Sequence, residues 1–343
     1  MTAMNTSGLG LINFSVIESK PILWLWKDRI PLGKLTIFSG NPGCGKTTVL
    51  LDIIARYTNG LDWPDGAPND DCLGDVLLLN AEDDPADTLK PRLQGAHADL
   101  ACIDLVESTL HTSEGKYDRQ FGLDSDLDQL RELLQRNPKV GLLIIDPISS
   151  YLGDADMNKE QKVREVLTPL AKLAEDFEVT IIGNSHFNKR GDVSAQHRTM
   201  GAVAFSGVAR QTWLFDRDRE DKTLFHMMLG KGNLTGKRTG LKYRITEIKL
   251  PTGPAAIIDW QGDDDIDADE ALAPLEKESK MDHALSFLEE YMTDPRPARD
   301  VETKAENRGI SRRTLARAKE RMGIRSRQLG KEWLWELPGK VSG

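Results

Sequence analysis

The residues best able to do chemistry lie in one glycine-rich stretch near the start of the chain, GNPGCGKTT. A Gly, four variable positions and then Gly-Lys-Thr is the spacing of a phosphate-binding loop. Glycines let backbone N–H groups approach phosphate oxygens where a Cβ would obstruct them. Lys46 is expected to reach the β- and γ-phosphates of ATP, and the Thr47 hydroxyl to ligate Mg²⁺. The predicted nucleotide-binding residues are Gly40, Asn41, Pro42, Gly43, Cys44, Gly45, Lys46, Thr47 and Thr48.

Such a loop needs a strand before it and a helix after it. The apolar run Leu35–Phe38 predicts the strand, and Thr48–Tyr57 carries apolar residues at helical spacing. The helix would point the positive end of its dipole at the same phosphates. These flanking elements favour a nucleotide site over a simple glycine turn.

A second metal ligand is expected at Asp146, where the apolar run Leu142–Ile145 ends in an acid. At the end of a parallel strand this carboxylate would lie beside Thr47 and Mg²⁺. Pro147 follows it, so no glutamate at that position can act as the base.

Glu82 is the predicted replacement for that base, because it follows the buried strand Asp75–Asn80. It would orient or deprotonate the attacking water. The alternative is that Glu82, Asp83 and Asp84 interact with the dipole of the next helix and cap it.

The composition is ordinary for a soluble protein, and 343 residues are enough for two domains. No apolar run approaches the ~20 residues of a membrane span, and the N-terminus lacks the pattern of an export signal. Cys44, Cys72 and Cys102 are not spaced as a zinc site or a disulfide framework. We therefore expect a cytoplasmic protein without a membrane partner.

Strands and helices alternate along most of the chain, and the strands are continuous apolar runs. This pattern predicts an α/β fold with a mainly parallel sheet covered on both faces. The later candidates, of which the last three are expected to form an antiparallel meander, are Gln211–Phe215, Thr223–Leu229, Leu241–Ile248 and Ala255–Trp260.

The charge is distributed unevenly along the chain, although the net value is −9. Six acids in residues 263–270 predict a linker over 263–279, between a nucleotide domain at 1–262 and a second domain at 280–343. Residues 304–331 contain ten basic and two acidic residues. The second domain is therefore a basic module.

Three helices and a hairpin are predicted in the second domain, which suggests a winged helix-turn-helix. The third helix, Arg312–Met322, would be capped by Ser311, and the hairpin would be anchored by Trp333 and Trp335. Such a helix could enter a DNA groove, although winged helices also bind proteins. The predicted DNA contacts of this domain are Arg312, Arg313, Arg317, Arg321, Arg325 and Arg327.

Four stretches, in the order GNPGCGKTT, LLLNAEDDPADTLKPRL, LLIIDPISSYLG and GNSHFNK, resemble the RecA-like P-loop ATPases of the plasmid RepA hexameric-helicase type. Members are often encoded in phages and mobile elements. The resemblance covers roughly residues 20–260. It implies a RecA-like core in which the strand before Glu82 lies next to the strand of the phosphate loop.

The resemblance assigns further roles to residues after the fourth core strand. His186 matches the polar sensor of the γ-phosphate, with Asn184 as the competing candidate and a purely structural histidine as the other alternative. Residues 189–198 lie where such proteins place a DNA-binding pore loop, or else form a surface loop without a ligand. The basic residues of this loop are Lys189, Arg190 and Arg198.

Arg210 resembles the arginine finger that one subunit supplies to the nucleotide of its neighbour, and Lys231 resembles a second cation acting in trans. Relatives often have Lys-x-Arg where this chain has Lys231-Gly232-Asn233, a departure that favours Arg210. Either residue is otherwise an ordinary surface cation. A finger requires an oligomer, which the resemblance implies to be a hexamer around single-stranded DNA.

The leading expectation is an ATP-driven DNA motor of the replicative helicase type, working with replication proteins. One alternative is a recombination or repair mediator that assembles on DNA without unwinding it. Another is a regulator in which the nucleotide sets the oligomeric state and the second domain binds a promoter or a protein.

Overall fold

The computed structural model describes residues 11–69, 74–107, 109–111, 118–153, 160–187, 202–236, 239–266, 268–272, 280–330 and 332–337. The chain divides into two compact units, residues 1–273 and 274–343. In the part of the chain that is described, no helix combines the length and apolar character needed to cross a membrane.

The first unit is built on a sheet of nine strands within the described residues, in the order β13-β12-β11-β10-β3-β9-β8-β4-β5. The strands of this unit are β1 Trp24–Trp26, β2 Ile30–Pro31, β3 Leu35–Gly40, β4 Asp75–Asn80, β5 Ile103–Leu105, β6 Thr109–His111, β7 Asp118–Gln120, β8 Val140–Asp146, β9 Thr180–His186, β10 Gln211–Arg217, β11 Leu224–Gly232, β12 Gly240–Leu250 and β13 Gly253–Asp264. Strands β1 and β2 pair separately, as do β6 and β7.

The sheet is parallel from β10 to β5 and antiparallel from β10 to β13. The predicted α/β class, with a mainly parallel sheet and C-terminal antiparallel strands, is confirmed. The predicted position of the strand before Glu82 is wrong. Strands β9 and β8 separate β4 from β3, so Glu82 follows the third strand away from the loop strand.

The parallel strands are apolar throughout because successive side chains enter different layers of the core. In β4, Val76 and Leu78 belong to one buried cluster, and Leu77 and Leu79 belong to the other. Strand β8 alternates in the same way, with Leu142 and Ile144 opposite Leu143 and Ile145. The sheet is therefore packed on both faces.

Helices cover these two faces. They are α1 Lys46–Asn59, α2 Lys90–Gly95, α3 Leu127–Arg136, α4 Glu160–Phe177, α5 Ala202–Val208 and α6 Ala268–Leu272. Helix α1 ends at Gly60, whose φ of 62° permits its N–H to bond the Arg56 carbonyl. A π-helix, Pro85–Leu89, leads directly into α2. Single helical turns occur at Phe14–Val16, Leu100–Cys102 and Ile148–Tyr151.

The predicted linker begins too early. Asp263 and Asp264 are the last residues of β13, and α6 follows within the predicted linker. In α6, Ala268 and Leu272 are buried against the first unit, in a cluster with Leu214. Acidic composition misled the prediction because Asp263 and Asp264 belong to a paired strand, in which Asp263 pairs with Arg29 and Asp264 with His226.

The second unit contains three helices and a three-stranded sheet within its described residues. In chain order these are α7 Lys280–Tyr291, β14 Arg296–Pro297, α8 Ala298–Asn307, α9 Arg312–Arg321, β15 Arg325–Leu329 and β16 Glu332–Glu336. Ser311 caps α9 as expected, by accepting a hydrogen bond from the Thr314 N–H. Strand β16 lies between β14 and β15, and β14 was not predicted.

The predicted tryptophan anchor of the hairpin is half wrong. Trp335 is 6% exposed and packs with Leu315 and Ile324 in the core of the second unit. Trp333 is 54% exposed. It lies nearer the hairpin turn, beyond the helices that cover Trp335.

Candidate active site

Several polar residues meet at one edge of the first sheet because parallel strands end at the same edge. The phosphate-loop segment follows β3, Asp146 ends β8, and His186 ends β9. Glu82 follows β4 by two residues. These four sequence-predicted features are thus brought together by the strand order.

The glycines of the loop are required by its backbone and its neighbours. Gly43 and Gly45 have φ of 80° and 75°, in the left-handed region that favours glycine. A Cβ at Gly40 would collide with the backbone of Phe215 in β10. A Cβ at Gly45 would lie 2.5 Å from Ile245 Cδ1.

Strands outside the motif contact the loop from behind. The Tyr243 hydroxyl, fully buried in β12, donates a 2.5 Å hydrogen bond to the Cys44 carbonyl. Asn41 Nδ2 donates to Asp216 Oδ1 in β10 at 3.2 Å. Sequence patterns missed Tyr243 and Asp216, because no motif marks their pairing with a loop almost 200 residues away.

Cys44 is buried, and burial raises the pKa of its thiol to about 11. Since the thiolate is the reactive form, this cysteine is poorly reactive near neutral pH. Cys44 therefore fills a variable position of the loop without supplying a reactive group.

Lys46 lies along the concave side of the loop with its amine directed at backbone carbonyls. Its Nζ donates 3.0 Å hydrogen bonds to the carbonyls of Gly40 and Asn41, and His186 Nδ1 lies 3.4 Å away. The residue is 4% exposed, and burial lowers the pKa of the ammonium group. A phosphate anion is the type of ligand that would compensate this buried charge.

Asp146 receives hydrogen bonds from two different segments. Thr47 Oγ1 donates to its Oδ2 at 2.7 Å, and Asn184 Nδ2 donates to its Oδ1. The carboxylate is 2% exposed, and burial raises its pKa.

A hydroxyl oxygen and a buried carboxylate at this separation fit Mg²⁺, which prefers hard oxygen ligands and neutralises the carboxylate charge. Thr47 and Asp146 are the residues that would hold the ion. No group of three or more His, Cys, Asp or Glu side chains suited to a metal occurs among the described residues.

Glu82 reaches the site even though its strand is distant from β3. Its Oε1 lies 3.7 Å from His186 Nε2, and its side chain is 53% exposed. His186 therefore lies between Glu82 and Lys46, because its two ring nitrogens face different partners. Asn184 is directed at Asp146 instead, so the two sensor candidates occupy different positions.

Asp84 performs the capping that was the alternative role for Glu82. Asp84 accepts hydrogen bonds from the N–H groups of Ala86 and Asp87, which lower its pKa. Asp83 pairs with Arg92 at 3.2 Å. Glu82 takes no part in the cap.

Arg210 and Lys231 lie at the opposite edge of the sheet. The Arg210 N–H donates to the carbonyl of Leu35, the first residue of β3, and Lys231 pairs with Thr212 near the start of β10. The Arg210 side chain is exposed. Lys231 Nζ instead donates to the carbonyls of Ser206 and Ala209, and burial followed by the nearby Arg210 charge lowers its pKa.

The predicted DNA contacts fall in two regions. The loop with Lys189, Arg190 and Arg198 lies outside the described residues. In the second unit all six predicted side chains are exposed, on α9 and β15: Arg312, Arg313, Arg317, Arg321, Arg325 and Arg327.

This sheet, the phosphate loop and the Thr47–Asp146 pair define a P-loop ATPase-type protein. Residues 11–192, about half of the chain, match the AAA domain family AAA_25, and the chain belongs to this family.

Solved structures give weaker similarities. A KaiC-like protein from the hyperthermophilic archaeon Pyrococcus horikoshii OT3 is 17% identical, with a TM-score of 0.47, over 69% of this chain and 99% of that one. The ATPase domain of G40P is 14% identical, with a TM-score of 0.45, over 65% of this chain and 84% of that one. With TM-scores below 0.5, neither likeness bears on function. No curated protein matches the chain.

Proposed function

We propose that this protein is an oligomeric DNA motor of the RepA-like replicative helicase type that hydrolyses ATP. The observation that carries the proposal is the 2.7 Å contact between the Thr47 hydroxyl and Asp146, with Lys46 on the same loop. Mg²⁺ held by this pair would neutralise charge on the β- and γ-phosphates. Lys46 would bind the same phosphates with its buried ammonium group.

Glu82 is proposed to accept the proton of the attacking water. Its side chain is half exposed, which leaves room for water, and its Oε1 lies 3.7 Å from His186, which in turn contacts the phosphate-loop lysine. His186 contacts both Glu82 and Lys46 and is proposed to report the state of the γ-phosphate to the segment that follows β9. That segment is the proposed pore loop.

An arginine finger in trans is supported by the position of Arg210. Strand β3 is six residues long and separates the Arg210 edge from the phosphate loop by about 20 Å. Arg210 therefore cannot reach the nucleotide of its own chain, but its exposed side chain can reach that of a neighbour. Lys231 is engaged by two carbonyls of its own subunit, so we propose Arg210 as the finger.

The second unit is proposed to be a winged helix-turn-helix that binds DNA. Its helices, its hairpin and the short β14 follow the order expected of that fold, and α9 exposes a row of arginines. Arg313, Arg317 and Arg321 recur at four-residue spacing and so lie on one side of the helix. Such a row fits a phosphate backbone.

The test is ATP turnover with and without single-stranded DNA, followed by unwinding of a forked duplex. A DNA motor should show DNA-stimulated turnover and ATP-dependent strand separation, and both should be lost in Lys46→Ala. Strong stimulation by DNA without strand separation would indicate a mediator ATPase and not a helicase. ATP turnover that does not change with DNA would indicate a regulator and not a motor.

A further inference from the structure

The hairpin of the second unit exposes a tryptophan on a defined face. Strand pairing places Gln328 opposite Trp333 and Ser326 opposite Trp335. Residues two apart in a strand share a face, so Trp333 lies on the same face as Trp335. Trp335 is buried in the core, whereas Trp333 is 54% exposed. About half of the Trp333 surface is therefore available to a ligand.

That face of the hairpin is turned toward α9. Lys319 of α9 places its Nζ 4.3 Å from the centre of the Trp335 ring and also donates to Ser326 Oγ. Trp333 is two residues nearer the turn, about 7 Å farther along the strand. The indole therefore extends from the α9 side of the hairpin.

The surroundings of this indole are strongly basic. Residues 311–337 contain eight Lys or Arg residues and three Glu residues. The α9 arginines named above are all exposed, and Arg312 among them pairs with Glu306 at 3.0 Å. Arg325 and Arg327 are exposed too, but they alternate with Ser326 and Gln328 and so lie on the other face of the hairpin from Trp333. The positive charge on the side of Trp333 is therefore that of α9. This excess of positive charge favours a polyanion over an apolar or basic protein surface.

We propose that Trp333 stacks on an unpaired DNA base at a junction between duplex and single strand, where the α9 arginines bind the duplex phosphates. This rests on the proposed DNA binding by the second unit. An indole needs an uncovered base face, and in the interior of a duplex each face is covered by the adjacent base pair. The target is therefore a frayed or single-stranded base. Stacking accepts any base, because every base has a π-face.

The test measures binding of the full-length protein, without nucleotide, to a forked DNA and to a blunt duplex of equal length. The single-stranded arms of the fork carry 2-aminopurine next to the junction. Trp333→Ala should weaken fork binding about 5- to 150-fold and abolish the quenching of 2-aminopurine, with little change on the blunt duplex. Trp333→Phe should restore most of both signals.

Leu329 provides the matched control. It is 57% exposed and apolar, but it lies in the alternate set of β15 positions, on the other face of the hairpin. Leu329→Ala should bind the fork as the unchanged protein does. Thermal unfolding should be nearly unaltered in all three variants, because neither side chain is buried.

Equal fork binding and quenching by Trp333→Ala and the unchanged protein would overturn the proposal. The exposed indole would then be a candidate contact for a protein partner. Equal losses on fork and blunt duplex would also overturn it, since a stacked unpaired base would not be the cause. Failure of DNA binding by the second unit is a separate result. In that case, deletion of residues 280–343 would also leave binding to the blunt duplex unchanged.

Discussion

The Thr47 hydroxyl donates a 2.7 Å hydrogen bond to Asp146, a residue 99 positions later in the chain. Asn184 donates to the other oxygen of the same carboxylate. Two fixed donors thus orient a charge that burial disfavours, as the raised pKa of Asp146 records. Such an arrangement costs stability in the empty protein and favours binding of a cation.

Asp146→Asn should therefore melt at a higher temperature than the unchanged protein when nucleotide and Mg²⁺ are absent. The pKa of Asp146 is higher in the folded than in the unfolded chain, so its charge destabilises the fold above that folded pKa. The advantage of the variant should shrink as pH falls and vanish below the unfolded value of about 3.9.

The measurement is thermal unfolding between pH 4 and 8, where each kcal/mol would shift Tm by about 2–4 °C. Addition of MgATP should reverse the order of the two proteins. A variant that melts lower at every pH without ligand would contradict a net electrostatic cost at Asp146.

Glu82→Gln should retain ATP binding and lose about 10²- to 10⁴-fold in turnover, because the amide cannot accept the proton of water. Asp83→Asn is the matched control, since Asp83 is the adjacent acid and pairs with Arg92. Binding of a fluorescent ATP analogue and release of phosphate separate the two effects. Near-normal turnover in Glu82→Gln would show that another residue acts as the base.

Arg210→Ala should bind ATP yet lose about 10³- to 10⁵-fold in turnover. A mixture with Lys46→Ala should recover part of the activity, since some interfaces then combine an intact loop with an intact finger. Lys34→Ala is the control, because Lys34 and Arg210 line one surface cavity but Lys34 pairs with Glu175 at 2.9 Å. Absence of recovery in mixed oligomers would contradict the proposal that Arg210 acts on the nucleotide of a neighbouring subunit.

Arg317→Ala should lower the slope of log affinity against log salt by about 0.9 on duplex DNA, the value for one neutralised phosphate. The control is Arg308→Ala, whose guanidinium pairs with Glu290 at 2.6 Å. Fluorescence anisotropy over a salt series measures the slope. A slope shared by both variants and the unchanged protein would argue for a protein-binding role of α9.

Leu272→Ala should destabilise the first unit by about 2–5 kcal/mol, because it removes a buried side chain from the contact of α6 with the sheet. Leu105→Ala, at an exposed leucine, should cost far less. Denaturant unfolding compares the two. Equal losses of stability in the two variants would indicate that residues 263–272 form a linker instead.

Local sequence patterns were sufficient to predict those elements whose structure is determined by a single segment of the chain. The six letters DVLLLN predicted β4 with its bounds, since a strand buried on both faces is apolar throughout. The phosphate loop was predicted from glycine and lysine spacing alone, and its backbone has the left-handed glycines that this spacing requires.

Long-range pairing could not be predicted in the same way. Nothing in the sequence near Glu82 states that two strands separate β4 from β3, because strand order depends on which surfaces pack together. Likewise, the acids of residues 263–270 have the same composition whether they extend a linker or belong to the end of β13 and to α6. Trp333 and Trp335 differ in burial because α9 covers only one of them, which alternation alone does not reveal.

The rear of the phosphate loop has a consequence for engineering this protein. Tyr243 and Ile245, which contact Cys44 and Gly45, belong to β12 and lie beyond residues 11–192, where the family match ends. A fragment or chimera cut at that boundary would keep every residue of the nucleotide motif and lose the two β12 side chains that contact it. A transplantable ATP module therefore has to include the antiparallel strand β12.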